Sequence, residues 1–576
     1  MKRRQMKTTR ITKTTKTIVL YNKSNMFGLR QDALLIQSAL KCELKDPLES
    51  VVTCDIAIHL EVPYYGWMGF AAVNILVINP EWWEEAWNSY LTQVKILVFK
   101  CTEDKERFLE THPFYGASCV IPWASLPTNQ NSGQTQEMSR SALWLLGGSV
   151  NKRDAALKIL PLWKDVWPSL EVYTTTPLSF PIPLPKNVSL HIEELSLEKK
   201  QTLQAKHSCH IIISSSEALS MSSLEGESYG AFLIGNSLPV YIENFKDKSY
   251  TFLTQSSLVP YKAGMRDMFL NVEESLEQGV QEFLTKYSYA TKRAAIEESA
   301  NRVRKFQTSV QSLVSGIPSF PFQPVKFLTD AELPKISVVT LTYNRKKFLD
   351  LAFHNILSTD YPKEKIEWVI VDDSDDPEEQ ASDKIIKFGR ENGPLSLTYI
   401  PLAKRSIGRK RNVGIHRAEN SIILFMDDDD HYPPSSFRRR VSYLLTHPWK
   451  PQITLCTTIA CYDLQHGISA VNTPPWNLGL SKRVSEATFT FYKSFWETKN
   501  FSNVNIAEGD DFLEGRETES TILELPPQQI IVAMSHGKNS TSRRFPTGGS
   551  PSCFWGFPKE FLIFLHKLID VEVEAS

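Results

Sequence analysis

Short apolar runs rich in β-branched residues alternate with amphipathic segments along both halves of the chain. In the first half they fall at 17–20 (TIVL), 55–60 (DIAIHL), 74–78 (NILVI), 94–99 (VKILVF), 142–146 (ALWLL), 171–173 and 210–213. In the second half they fall at 336–341 (ISVVTL), 366–371 (IEWVIV), 395–400 (LSLTYI) and 422–426 (IILFM). Near-continuous apolar strands separated by helical segments specify βαβ units and mainly parallel sheets with both faces covered. In such sheets ligands collect beyond the carboxyl ends of the strands. The residues that follow each strand are therefore the candidate functional ones.

A chain of 576 residues is long enough for three or four domains. Two Pro-rich stretches interrupt it, at 177–185 (PLSFPIPLP) and 316–334 (GIPSFPFQPVKFLTDAELP), and the second reads as an interdomain linker. Before it, apolar positions recur at helical spacing over 272–314. The expected division is a basic tail (1–16), a Rossmann-like lobe (17–135), a second such lobe with a long C-terminal helix (136–315), a linker (316–333) and a third α/β domain (334–576).

Hydrophobic residues make up 42 % of the chain, which excludes wholesale disorder. Lys plus Arg (64) balances Asp plus Glu (65), so no global field favours nucleic acid or an anionic membrane. No apolar stretch is long enough to predict a transmembrane segment. The basic N-terminus has no apolar h-region after it and reads as a solvated tail, with a mitochondrial presequence as the alternative. The cysteines include no CxxC pair and read as buried, reduced thiols of a cytoplasmic protein.

The strongest local feature is FMDDDDHYPP, where a buried strand runs into Asp427, Asp428, Asp429 and Asp430. Four adjacent carboxylates repel one another unless a cation or water neutralises them. A hard divalent cation, Mg2+ or Mn2+, suits oxygen ligands and often bridges substrate phosphates. The first strand of this half ends in Thr342-Tyr343-Asn344-Arg345 and the second in Asp372-Asp373-Ser374-Asp375-Asp376. A basic segment, Lys404 to Asn412, follows the third. Carboxylates that accept from a base or ribose, with arginines and a metal that neutralise a diphosphate, suit a nucleoside diphosphate.

The set PKISVVTLTYNRKKFL, EWVIVDDSDD and IGRKRNVGIHRAENSIILFMDDDDHYPP resembles glycosyltransferase family 2, of the GT-A fold. The resemblance implies that Tyr343 and Arg345 flank the nucleotide and that Asp373, with Asp372 as the alternative, meets the base. It implies that Arg411 and Asn412 lie near the ribose or diphosphate. Asp427 and Asp429 form the Asp-x-Asp metal pair, with Asp428 beside the nucleotide-sugar. An inverting transferase needs a carboxylate to take the acceptor hydroxyl's proton. The family draws it from an acidic pair in a later helix, here Asp511 with Asp510 in reserve. His536 in VAMSHGKNSTSRR takes the place of an additional metal ligand, and Arg543 and Arg544 that of phosphate contacts.

The first half resembles, more loosely, a GT-B glycosyltransferase of family 4. WLLGGSVNKRDAALKIL matches that family's strand–Gly–Lys–helix segment, where Lys152 or Arg153 faces the diphosphate. A second segment, HIIISSSEALSMSSLEGESYGAFLIGNSLPVYI, matches a donor-site segment in which two glutamates lie eight positions apart. With Glu227 as the first, the eighth position on is Gly235, which implies a degenerate module that binds acceptor glycan, holds a partner or acts as scaffold, with a still-active second GT-B module as the alternative. The expected whole is an inverting, metal-dependent glycosyltransferase with a nucleotide-sugar donor, UDP-linked by preference, and a glycan acceptor. The alternatives are a nucleotidyltransferase on a similar sheet and a non-catalytic glycan-binding scaffold.

Overall fold

A computed structural model describes residues 15–571 except 26–27, 113, 115, 127–138, 270–271, 318–324, 476–477, 518–520, 528, 538, 540–542, 546–552 and 554. Most of the basic tail, the linker prolines 318, 321 and 324, and Trp476 lie outside the described residues. The rest falls into two compact units, one within Met1–Trp83 and Gln93–Phe320, the other within Glu84–Thr92 and Pro321–Ser576.

The first unit holds two parallel sheets. One contains β1 (Thr17–Leu20), β2 (Glu43–Lys45), β3 (Cys54–Leu60), β4 (Ala71–Val77), β5 (Ile96–Phe99) and β6 (Ala117–Val120), in the order β2-β1-β3-β4-β5-β6. The other contains β7 (Ala142–Gly147), β8 (Leu170–Thr174), β9 (Val188–Ile192), β10 (Cys209–Ile211), β11 (Phe232–Asn236) and β12 (Thr251–Thr254), in the order β12-β11-β10-β7-β8-β9. Both are doubly wound orders, with the reversal at β1/β3 in the first sheet and at β7/β10 in the second. A hairpin of β13 (Leu258–Tyr261) and β14 (Gly264–Asp267) follows.

The expected single helix over 272–314 is two helices, Val272–Lys286 and Tyr289–Ser315. The first ends at Lys286, and Ser288 starts the second. Its hydroxyl accepts from Thr291 N while Thr291 Oγ1 accepts from Ser288 N, a reciprocal cap that outweighs the helical periodicity. The second helix serves both lobes. Arg302 donates to Glu227 in the second lobe, whereas Phe306 packs edge-on against Trp123 in the first, ring centroids 4.9 Å apart.

In the second unit β15 (Ile336–Thr342), β16 (Ile366–Asp372), β17 (Ser396–Pro401), β18 (Ile422–Phe425), β19 (Ile453–Cys456), β20 (Ile459–Asp463), β21 (Ile468–Asn472), β22 (Ser485–Tyr492), β23 (Ile522–Glu524) and β24 (Val532–Ser535) form two sheets. The larger runs β17-β16-β15-β18-β22-β19-β23, and the smaller β21-β20-β24. β22 is antiparallel to both its neighbours. Every residue of β16 and β18 is buried, which is why those strands read as unbroken apolar runs. The order reverses at β15/β18, so the crevice beyond these two strands is the place for a ligand. The mixed α/β class with parallel sheets is as the sequence implies. All eight cysteines are free thiols, six of them buried. Among the described residues no helix is long and apolar enough to cross a membrane.

Candidate functional site

β18 delivers the four aspartates to the β15/β18 switch point, and β15 delivers Arg345 to the same place. Arg345 Nη1 lies 3.2 Å from Asp428 Oδ1 and 2.5 Å from Asp429 Oδ2. Burial drives the Asp428 and Asp430 carboxyls well above the usual carboxylate range. Burial also acts on Asp429, but Arg345 and His536 outweigh it and hold that carboxyl low. His536 follows β24, with Nε2 3.1 Å from Asp429 Oδ2. Asn539 bridges the two, its amide nitrogen 3.3 Å from Asp429 Oδ2 and 3.1 Å from His536 Nε2. Asp430 accepts from Met534 N at 2.9 Å and faces Arg543 at 3.5 Å.

Asp427, Asp429 and Asp430 each place an oxygen within 4.8 Å of the others. Asp428 Oδ2 is buried without a hydrogen-bond partner. Three converging carboxylates and a fourth with an idle oxygen fit a hard divalent cation. The set differs in part from the expected one. Asp430 joins it, and His536 adjoins it through Asp429. Asp430 was hidden in a run of four identical residues, which says nothing about which way each side chain turns.

The strand ends β15 and β16 sort the other expected contacts. Asp372 is buried, accepting from Ser374 N and Tyr399 OH, both at 2.9 Å. Asp373 is buried too, with Lys410 Nζ 2.5 Å from one oxygen and Arg405 N 2.9 Å from the other. The carboxylate on the open rim is Asp375, which sequence reasoning did not single out. It accepts from Tyr343 OH at 2.9 Å and from Asn344 Nδ2 at 2.8 Å. Lys404 lies over the Tyr343 ring at 4.1 Å.

The helix Ile407–Arg417 packs its N-terminal end against residues 502–508. A Cβ on Gly408 would meet Ser502 O at 1.8 Å, so glycine is required for the approach. The approach seats Arg411, whose Nε donates to Glu508 at 2.8 Å and whose Nη1 lies 3.8 Å from Asp427 Oδ1. Arg411 Nη1 is buried without a hydrogen-bond partner, a donor turned towards the acidic turn. Asn412 has a different task from the implied one. It accepts from Trp496 Nε1 and Phe501 N and donates to Phe501 O, and so fastens a loop. Asp510 accepts from Ser481 Oγ at 2.6 Å, and Asp511 is engaged by Ser502 and Lys499. Among the described residues no hydrogen bond or ion pair joins either to the acidic turn.

In the first unit Lys152 stands at the β7/β10 switch point, 3.2 Å from Ser222 Oγ and 3.3 Å from Glu217. Glu227 faces away from it. Arg302 Nε and Tyr250 OH bind its two oxygens at 2.8 and 2.6 Å, and it is fully buried. Gly235 lies inside β11. Both oxygens of Glu227 are thus occupied within the fold. Glu217 and Glu225, also eight apart, flank the start of the helix Met221–Tyr229.

A doubly wound sheet that brings four carboxylates and two arginines to its switch point can hold a cation and a polyanion together. Residues 337–466 match the family model described as Glycosyl transferase family 2, and this stretch is a family 2 glycosyltransferase region. Over 113 residues the chain is 29 % identical to the Poly(ribitol-phosphate) beta-N-acetylglucosaminyltransferase TarS of Staphylococcus aureus, covering 20 % of this chain and 19 % of that protein. The chain thus spans about a fifth of the length of the curated relatives it matches. Among solved structures, S. aureus TarS 1–349 in complex with UDP-GlcNAc is 20 % identical, covering 36 % of this chain and 60 % of that one, with a TM-score of 0.28. The mannosyltransferase PcManGT from Pyrobaculum calidifontis, in complex with GDP-Man and Mn2+, is 16 % identical, covering 37 % and 60 %, with a TM-score of 0.28.

Proposed function

We propose that the protein is an inverting, metal-dependent glycosyltransferase. It moves a sugar from a nucleotide-sugar donor, UDP-linked by preference, to a hydroxyl of a glycan or other acceptor. The observation that carries this reading is the Asp427–Asp430 turn with Arg345 and Arg411 at the β15/β18 switch point, within the region that matches family 2. The printed name of the relative TarS supports an N-acetylhexosamine donor as the first to try. The division at 334, with the two lobes 17–135 and 136–315 before it, and a cytoplasmic location belong to the same reading.

Asp427, Asp429 and Asp430 would hold Mn2+ or Mg2+, with His536 and Asn539 orienting Asp429. A bound divalent cation supplies positive charge to the leaving diphosphate. Arg345 and Arg411 add fixed positive charge at the same switch point. Tyr343 and Asp375 offer a ring face and a carboxylate to the base at the open rim.

The test is calorimetric titration of the full chain with UDP, GDP and CMP, each with Mn2+ or with a chelator, alongside Asp429→Ala. Metal-dependent binding of one nucleotide that Asp429→Ala abolishes supports the reading. Binding of none sinks it. A scaffold would keep its partner through the same substitution while showing no turnover.

A second reading concerns the first unit. Lys152 meeting Ser222 at the β7/β10 switch point, with Glu217 beside it, supports a second nucleotide-sugar site of the GT-B kind in place of a degenerate module. Lys152→Ala should then reduce the nucleotide stoichiometry of the full chain from two to one.

A further inference from the structure

Sugar transfer to a hydroxyl requires a proton acceptor beside the donor. We propose that Glu486, at the start of β22, is that acceptor. The inference rests on the glycosyltransferase reading above.

The placement follows from strand register. β22 runs antiparallel to β18 with Ile422 opposite Tyr492, Ile423 opposite Phe491 and Leu424 opposite Thr490. Extending that register carries the start of β22 to the acidic turn. A hydrogen-bond chain bears this out: the Tyr432 hydroxyl accepts from Asp427 N at 2.9 Å and donates to Ala487 O at 3.0 Å. Glu486 is the next residue.

Its carboxylate is also held. Glu486 Oε1 accepts from Gly509 N at 3.0 Å. A Cβ on residue 509 would lie 2.8 Å from that oxygen and 2.9 Å from Glu486 Cγ, so a side chain there would displace the carboxylate from this position. Gly509 follows Glu508, which Arg411 grips from the other side, and Arg411 extends to Asp427. Glu486, Glu508, Arg411 and Asp427 thus form one connected group.

Exposure selects among the acids. Glu486 and Asp427 are partly open to solvent, whereas Glu508 and Arg411 are buried. The charge of Glu508 is already matched by Arg411. Glu486 has no ion pair among the described residues. Burial and the neighbouring Glu508 carboxylate push its carboxyl up to about 7, the range in which a general base works best at neutral pH.

In the step assigned to it, the acceptor oxygen forms a bond to the anomeric carbon and gives its proton to the Glu486 carboxylate. The bond from that carbon to the donor's phosphate oxygen breaks, and its electron pair leaves with the nucleoside diphosphate. Glu486 then returns the proton to water.

The experiment uses the full chain with Mn2+ and a panel of UDP-GlcNAc, UDP-glucose, UDP-galactose and GDP-mannose, with water as the acceptor and nucleotide release as the readout. Glu486→Gln should lower release by on the order of a hundred-fold or more. Its nucleotide affinity and thermal midpoint should stay near those of the unsubstituted chain. Glu486→Asp should recover part of the rate, and Asp511→Asn should lower it less than Glu486→Gln does. Unchanged release by Glu486→Gln, or an equal loss in Asp511→Asn, overturns the proposal and leaves the glycosyltransferase reading standing. No release by the unsubstituted chain from any donor overturns that reading, and this inference with it.

Discussion

The rings of Phe348 and His536 stack with centroids 4.1 Å apart and planes inclined by 27°. Phe348 is buried ahead of the helix Leu349–Ser358, so core packing fixes the imidazole that faces Asp429. Partners that orient a metal site typically change affinity by about 10- to 100-fold. Phe348→Leu keeps an apolar side chain of similar reach and removes the stack. Mn2+ affinity measured by calorimetry should fall by on the order of ten-fold. An unchanged affinity would mean that His536 is held without the ring.

Arg345 bridges two carboxylates that lie almost wholly out of water. Removing one partner of a buried pair costs about 3–5 kcal/mol, because the other charge stays behind. Arg345→Ala should therefore lower stability to urea strongly in a chelator. Added Mn2+ should restore much of the loss, since a cation among the same oxygens replaces the missing charge. Equal losses with and without Mn2+ would show that no cation takes that place.

The two aspartates at the end of β16 and their neighbour Asp375 should separate by substitution. Asp373 is sealed beneath Lys410 and the Arg405 amide, whereas Asp375 stands on the rim with Tyr343. A hydrogen bond to a charged group contributes about 1.5–3 kcal/mol. Asp375→Ala should weaken nucleotide binding by roughly ten-fold or more, with little change in melting temperature. Asp373→Asn should do the reverse, lowering the melting temperature because Lys410 loses its partner. Titration calorimetry and thermal melts on the same samples distinguish the two.

The first unit should lose stability as pH rises through neutrality. Burial, with Glu217 nearby, pushes the Glu81 carboxyl up to about 7. Burial, with Glu81, Glu103 and Glu243 nearby, pushes Asp104 up to about 8. Both folded-state values lie above those of an unfolded chain, so the folded form holds protons that the unfolded form has released. This stabilisation is complete below about pH 4 and is lost as pH rises through the folded values. Denaturant midpoints should fall between about pH 5 and pH 8, and Glu81→Gln with Asp104→Asn should flatten that slope. An unaltered slope in the double variant would assign it to other groups.

Much of the second unit was legible because its central strands are buried on both faces and so appear as unbroken apolar runs. β15, β16 and β18 all fall where those runs lie, and the acidic turn follows directly. Edge strands such as β9, half exposed along its length, carry no such signal. Side-chain direction was also out of reach. Asp372, Asp373 and Asp375 differ little as sequence, and only the fold shows two sealed and one open. Glu486 belongs to the same class. It lies 56 to 59 positions beyond the acidic turn, and antiparallel pairing across a sheet brings it back. In the first unit Glu217 and Glu225 share the eight-residue spacing that Glu227 and Gly235 do not fill with two carboxylates, and only the fold shows Glu227 buried against Arg302.

The helix Tyr289–Ser315 bears on how the chain is made. Phe306 and Val310 belong to the same apolar cluster as Val19, Ile58 and Trp123. A ribosome must therefore finish the whole second lobe before the first can close its core. Until then the nascent first lobe exposes the face that Trp123 lines, a surface on which trigger-type chaperones act and aggregation begins. Slowing translation at codons near residue 300 should prolong that exposure.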